Sequence, residues 1–230
     1  MRRSHWILTA IPALFFLLFS SSPAVCSETD PTSNNPTPPF FISSDRTFVF
    51  ECPDGFAFTV RVEANEAWLF LPGRTVKATA VPSASGAKYV HETILFWNKG
   101  DEALLHVDDE IHKGCRNNKS KAIWEDAKLR GVGFRALGNE PGWHLEITAG
   151  EEITFVTDYG DTEYAFSTPK PFIDQRTRTT TYAAENSNHT LTVVIEGEKC
   201  NDTMSYESFD ATVTVTLDNK IHRGCGKALH

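Results

Sequence analysis

At 230 residues the chain can form one large domain or two small ones. Its 30 acidic residues outnumber 22 basic ones for a net charge of −8, spread along the chain rather than blocked, which disfavours nucleic acid and favours a basic protein as partner. The eight histidines form no HxH or HxxxH pair and no two of the five cysteines lie two to four residues apart, so neither a metal nor another cofactor is expected.

Residues 1–26 read as an export signal. Arg2 and Arg3 make a basic start, 7–19 is an apolar run too short to span a bilayer, and 20–26 is a small-residue stretch suited to a signal peptidase. Its removal takes two arginines and no acids, moving the charge from −8 to −10. Cys26 is a candidate for lipidation, but Pro23 and Val25 stand where a lipoprotein signal places Leu and then Gly or Ala. Ordinary cleavage after Ala24, Cys26 or Ser27 fits the small-residue rule at least as well. The expected location is periplasmic or secreted, with a lipid anchor to the outer membrane as the alternative. No later segment is apolar enough to cross a bilayer. Residues 27–40, rich in Pro, Ser, Thr and Asn, read as a disordered tether.

Residues 41–118 read as short strands between turns. The segments 47–51 and 56–62 flank the turn Pro53-Asp54-Gly55, and 67–71 ends at Pro72-Gly73. Segments 75–81, 93–97, 103–107 and 110–112 follow. Phe56, Phe58, Val60 and Val62 alternate with Ala57, Thr59 and Arg61, and no helical period competes. This many strands in so short a span predict an antiparallel barrel or sandwich. Between two of the strands lies Pro82-Ser83-Ala84-Ser85-Gly86-Ala87, a loop with almost no side-chain bulk. Gly86 is free to take positive φ, so the loop is slim enough to enter a cleft, bringing one hydroxyl, Ser85, with the Lys99 ammonium nearby.

Residues 119–133 read as a helical connector. Ser120 is the expected cap of a helix over 120–129, Trp124 and Ala127 share a face, and Gly131 and Gly133 end it, making a hinge between two domains. From Phe134 to residue 230 the strand pattern returns, with candidates at 143–148, 152–157, 162–167, 179–184, 189–196, 211–217 and 221–225. The predicted class is therefore all-β: two small antiparallel barrels or barrel-like domains joined by a short helix. Asp109-Glu110-Ile111-His112-Lys113-Gly114-Cys115 recurs in type as Asn219-Lys220-Ile221-His222-Arg223-Gly224-Cys225. Each copy delivers a cysteine on a last strand.

In an oxidising compartment Cys52, Cys115, Cys200 and Cys225 should be paired, and four cysteines allow three connectivities. If each half folds on its own, Cys52–Cys115 and Cys200–Cys225 is the only local pairing. Loops of those lengths would stabilise the fold by roughly 3–4 kcal/mol each in the chain-entropy model.

Between the first two of these cysteines the residues resemble the MliC/PliC family of bacterial inhibitors of c-type lysozyme. The likeness covers about 48–115: Cys52-Pro53-Asp54-Gly55, the run from Ser83 to Tyr89, Trp97-Asn98-Lys99-Gly100-Asp101-Glu102-Ala103-Leu104, and Lys113-Gly114-Cys115. The resemblance implies an eight-stranded barrel that projects its loop into the lysozyme's sugar-binding cleft. Ser85 and Lys99 then engage the two catalytic acids, and Ser83, Gly86, Ala87 and Tyr89 complete the contact set. Lys88 stands where that family often has arginine, which keeps the charge but not a bidentate contact. The chain is then expected not to be an enzyme, and no Gly-x-Ser-x-Gly elbow or Cys–His dyad argues otherwise. Its role would be to shield the peptidoglycan of a Gram-negative cell.

The second half carries Gly138-Asn139-Glu140-Pro141-Gly142-Trp143, which resembles an uncharacterised family of exported bacterial domains with a GNEPxW phrase. As structure, it is a turn that buries Trp143. As chemistry, Glu140 with Asp158 or Asp202 would be paired carboxylates for glycoside work, giving the rival expectation of a peptidoglycan-binding or glycan-active protein acting through this half. A barrel holding a small apolar ligand is a third reading.

Overall fold

The computed structural model describes residues 46–230; the export signal of 1–26, the tether of 27–40 and Cys26 lie outside the described residues. Eight antiparallel strands close into a barrel: β1 (Arg46–Glu51), β2 (Ala57–Glu63), β3 (Glu66–Leu71), β4 (Arg74–Val81), β5 (Ala87–His91), β6 (Ile94–Lys99), β7 (Glu102–Val107) and β8 (Glu110–Asn117). Each strand pairs with the next, and β8 returns to β1, so no edge is left open. Alternation decides which side chains fill it. Phe50, Val60, Leu69, Phe96 and Leu105 are wholly buried, and Phe50 packs on both Phe58 and Phe96 at centroid distances of 5.4 and 5.7 Å. Each such side chain contributes about 1.5–3 kcal/mol by leaving water. Side chains, rather than a ligand space, occupy this interior. Cys52 is bonded to Cys115, fastening the end of β1 to β8.

Strand β5 is not among the segments picked out from the sequence. It pairs with β6 across a tight turn in which Glu92, not a glycine, takes the left-handed conformation, with φ of 49°.

The chain leaves the barrel into helix α1 (Lys119–Leu129). Asn118, not Ser120, is the cap: its side-chain oxygen accepts from the Lys121 N–H at 3.1 Å, satisfying a donor that the helix itself cannot. Ser120 is already inside the first turn. The helix is bonded on both flanks rather than forming a free hinge. Toward the barrel, Thr47 donates to Asp126 at 2.7 Å and Lys121 pairs with Glu51 at 2.6 Å. Toward the second half, Trp124 packs on Phe209, with Lys227 and Arg135 over its ring. Arg130, just past the helix, holds Asp126 of the helix at 2.9 Å and Glu146 of the second half at 2.8 Å.

The second half is a curled nine-stranded sheet, a half-barrel. In chain order it contributes β9 (Phe134–Asn139), β10 (Gly142–Ile147), β11 (Glu152–Thr157), β12 (Thr162–Ser167), β13 (Phe172–Asp174), β14 (Thr179–Glu185) and β15 (Thr190–Glu196). A small hairpin follows, β16 (Cys200–Asn201) with β17 (Ser208–Phe209), and then β18 (Ala211–Leu217) and β19 (Lys220–Ala228). The spatial order is β12-β11-β10-β9-β19-β18-β15-β14-β13, so the last strand closes back beside the first. Leu145, Phe155, Val193 and Val213 are wholly buried on its inner face, while α1 covers part of the outer one. Cys200 is bonded to Cys225, tying the hairpin to β19.

The GNEPxW phrase is a turn with a cis Glu140–Pro141 bond, and Trp143 behind it is buried. Its indole lies against Gly138 and Gly224, where any Cβ would overlap the ring or the neighbouring backbone. The repeated phrase also has a structural counterpart. In both copies an aspartate in the left-handed conformation, Asp108 or Asp218, turns the chain into a last strand carrying a buried histidine, His112 or His222.

Candidate functional site

Register places the barrel's turns at two ends. The 82–86 loop lies between β4 and β5 and the 100–101 turn between β6 and β7. Ala87 opposite Asn98 and Lys99 opposite Glu102 bring the two together at one end. The start of α1 leaves from that same end, because Glu102 also faces Arg116 near the close of β8.

The loop is held by its own backbone. The Ser83 hydroxyl and the Trp97 indole N–H both donate to the Ser85 carbonyl oxygen, each at 2.8 Å. Gly86 takes φ of 68°, and a Cβ there would overlap the Asn98 carbonyl oxygen, so only glycine lets the loop lie this close to β6. Ser83 and Ser85 are exposed and Ala87 is half-buried at the start of β5. Ser85 and Lys99 line one open recess of about 260 Å³, with Trp97, Glu102 and Leu104. Among the described residues the Lys99 ammonium has no hydrogen bond or ion pair. The acids beside it are occupied: Glu102 by Arg116 at 2.7 Å and Asp101 by Lys119 at 2.6 Å. Lys119 and then Asn117, by hydrogen bonding, hold the Asp101 carboxyl below the usual carboxylate range.

Tyr89 does not belong to this surface. Alternation along β5 turns it inward between the outward Lys88 and Val90, where it is 5 % exposed and stacks on Phe96 at 5.9 Å. Burial pushes its phenol above the ordinary tyrosine value. It anchors the strand below the loop and has no face to offer a partner. Trp97 was not singled out from the sequence as a loop clamp, because a hydrogen bond across 12 positions leaves no local pattern.

In the second half, Glu140 and Asp202 line a shallow recess of about 320 Å³ with Asn201 and Arg223. Asp202 is spent on structure, however. It is buried, one oxygen accepts from Asn139, and the other accepts from the Ser205 N–H and hydroxyl, each at 2.6 Å. Burial alone would raise its pKa, but the bonds from Ser205 and Asn139 outweigh burial and lower it. A fixed, fully bonded carboxylate closes the 203–207 turn and has no free oxygen for acid–base work. Asp158 accepts from the Thr157 hydroxyl at 3.0 Å. Among the described residues no group of His, Cys, Asp and Glu is arranged to hold a metal ion, and no helix is long and apolar enough to cross a membrane.

No curated protein and no solved structure matches the chain. A family model does match, over residues 50–113, and it is described as MliC, membrane-bound lysozyme-inhibitor of c-type lysozyme. That segment runs from the last core phenylalanine of β1 to the middle of β8 and contains the loop, the Lys99 turn and the recess between them. Residues 50–113, nearly the whole barrel, are therefore similar to the MliC family of lysozyme inhibitors, and the second β-sheet lies outside the match.

Proposed function

We propose that the barrel inhibits a c-type lysozyme by seating the 82–86 loop in the enzyme's sugar-binding cleft, with Ser85 and Lys99 facing the catalytic carboxylates. The observation that carries this reading is that an exposed hydroxyl on a braced loop and an unpaired ammonium line the same recess at one end of the barrel. A lysozyme site holds two carboxyl groups in different states, one protonated with a raised pKa and one ionised. A serine hydroxyl can donate to one and accept from the other, whichever holds the proton. The ammonium pairs with the ionised member, and the net charge of −8 draws in a basic enzyme from a distance. Inhibition on this reading is occlusion, with no bond made or broken. Export to the cell envelope is part of the same proposal, since peptidoglycan and its hydrolases are there.

Steady-state lysis assays with a vertebrate c-type lysozyme test it. Ser85→Ala and Lys99→Ala should each raise the inhibition constant tenfold or more, as expected when one partner of a desolvated charged contact is removed. Full inhibition by both single variants would discard the mechanism.

A further inference from the structure

Lys99 is one end of a row of alternating charge. Across the barrel Lys99 faces Glu102, Glu102 faces Arg116, and Arg116 faces Glu51. These side chains point outward, since their neighbours Phe50, Ala103 and Cys115 point into the core. Side chains opposite one another on adjacent antiparallel strands stand roughly 4.5–5.5 Å apart at Cβ, well within pairing reach. Left alone, the row would pair Lys99 with Glu102 and Arg116 with Glu51.

The structure pairs it otherwise. Glu51 is taken by Lys121 at 2.6 Å, with Asn118 adding an N–H at 3.2 Å. Arg116 is thus left to Glu102, and Lys119 takes Asp101, the remaining acid of the turn. Both lysines stand in the first turn of α1, which carries no acid. That is the wrong sign for a helix N-terminus, where the backbone already presents partial positive charge. Their partners, Asp101 and Glu51, are both on the barrel.

We propose that Lys119 and Lys121, which lie outside the family-matched segment, are positioning residues that keep the Lys99 ammonium unpaired for a partner's carboxylates. They draw Asp101 and Glu51 onto the helix and so leave Arg116 to occupy Glu102. The inference rests on the loop reading above. It gives the connector a part in the inhibitory end of the barrel.

The test uses the full chain in the same lysis assay at low ionic strength. Lys119→Ala/Lys121→Ala should raise the inhibition constant about three- to fivefold, the upper part of the range for competition between exposed ion pairs. Adding Asp101→Asn and Glu102→Gln, which removes the acids that would capture Lys99, should restore it to within about twofold of the parent. The deficit should also shrink in high salt, because exposed pairs are screened. Loss of a merely structural contact would not be repaired by deleting more charges. An unchanged constant in the double variant, or no recovery in the quadruple one, overturns the inference. Ser85→Ala and Lys99→Ala run alongside: if neither moves the constant, the loop reading fails and takes this inference with it. If they do and the helix variants do not, only this inference fails.

Discussion

The indole N–H of Trp97 donates to the carbonyl oxygen of Ser85, and the Ser83 hydroxyl donates to the same atom. With both lone pairs of that oxygen engaged, the backbone that carries the Ser85 hydroxyl is fixed before any partner arrives, and less freedom is lost on binding. Trp97→Phe keeps most of the ring and removes only the donor. At about 1 kcal/mol for a neutral hydrogen bond, inhibition should weaken roughly fivefold, and Ser83→Ala should act similarly. Together they should reach tenfold or more with little change in thermal stability, since Trp97 is 38 % exposed and Ser83 is on the surface. Measured inhibition constants equal to the parent's in the double variant would show that the loop needs no such brace.

Much of this end of the molecule was legible in the sequence because its signals are local. The slim run from Ser83 to Gly86, the turn at Gly100 and the alternation in β2 each declare themselves within a few residues. What was hidden depends on distant partners. Strand β5 is short, with Lys88 on an outward position and an exposed histidine at its end, and its turn uses Glu92 where a glycine would have marked it. Tyr89 sits in a motif full of surface residues, yet one step of strand alternation sends it into the core. The cap of α1 is Asn118, because an amide oxygen two residues before Ser120 already reaches the Lys121 N–H. The row from Lys99 to Glu51 joins four strands, and only the register of the closed barrel reveals it.

The attachment of α1 to the second sheet should concentrate on Glu146. Its carboxylate, 12 % exposed, accepts from Arg130 at 3.0 and 2.8 Å and from Arg135, whose side chain is only 10 % exposed. Burial lowers the Arg135 pKa, and Glu146 is the charge that opposes it most. Removing the carboxylate in Glu146→Ala strands a buried guanidinium, which should cost about 3–5 kcal/mol in urea unfolding. Arg74→Ala removes an equally short pair with Asp108, but both partners are exposed, so its cost should stay below about 1 kcal/mol. Similar midpoints for the two variants would mean that the Arg130–Glu146–Arg135 cluster does not stabilise the helix on the second sheet.

The second sheet should be acid-sensitive through His222. The ring is 3 % exposed against Trp143 and Phe155, and among the described residues neither ring nitrogen has a hydrogen-bond partner. Burial lowers its pKa, the Lys220 charge adds to this, and Asp158 opposes both. His144 is lowered as well, first by burial and then by Arg135. A depressed histidine binds fewer protons folded than unfolded, so unfolding free energy must fall as pH drops below the unfolded value of about 6.5. The slope is at most about 1.4 kcal/mol per pH unit for each such histidine, and it ends at the folded pKa. The lowered carboxyls, Glu51, Asp54, Asp101, Asp174, Asp202 and Asp218, lose their contribution only below about pH 4 to 4.5, so the two effects occupy separate windows. Urea titrations between pH 7 and 5 should therefore show a decline that is smaller in His222→Leu than in the parent. The variant should lose little at pH 7, because an apolar side chain replaces a polar one that had no partner. An identical decline in both proteins would place the sensitivity elsewhere.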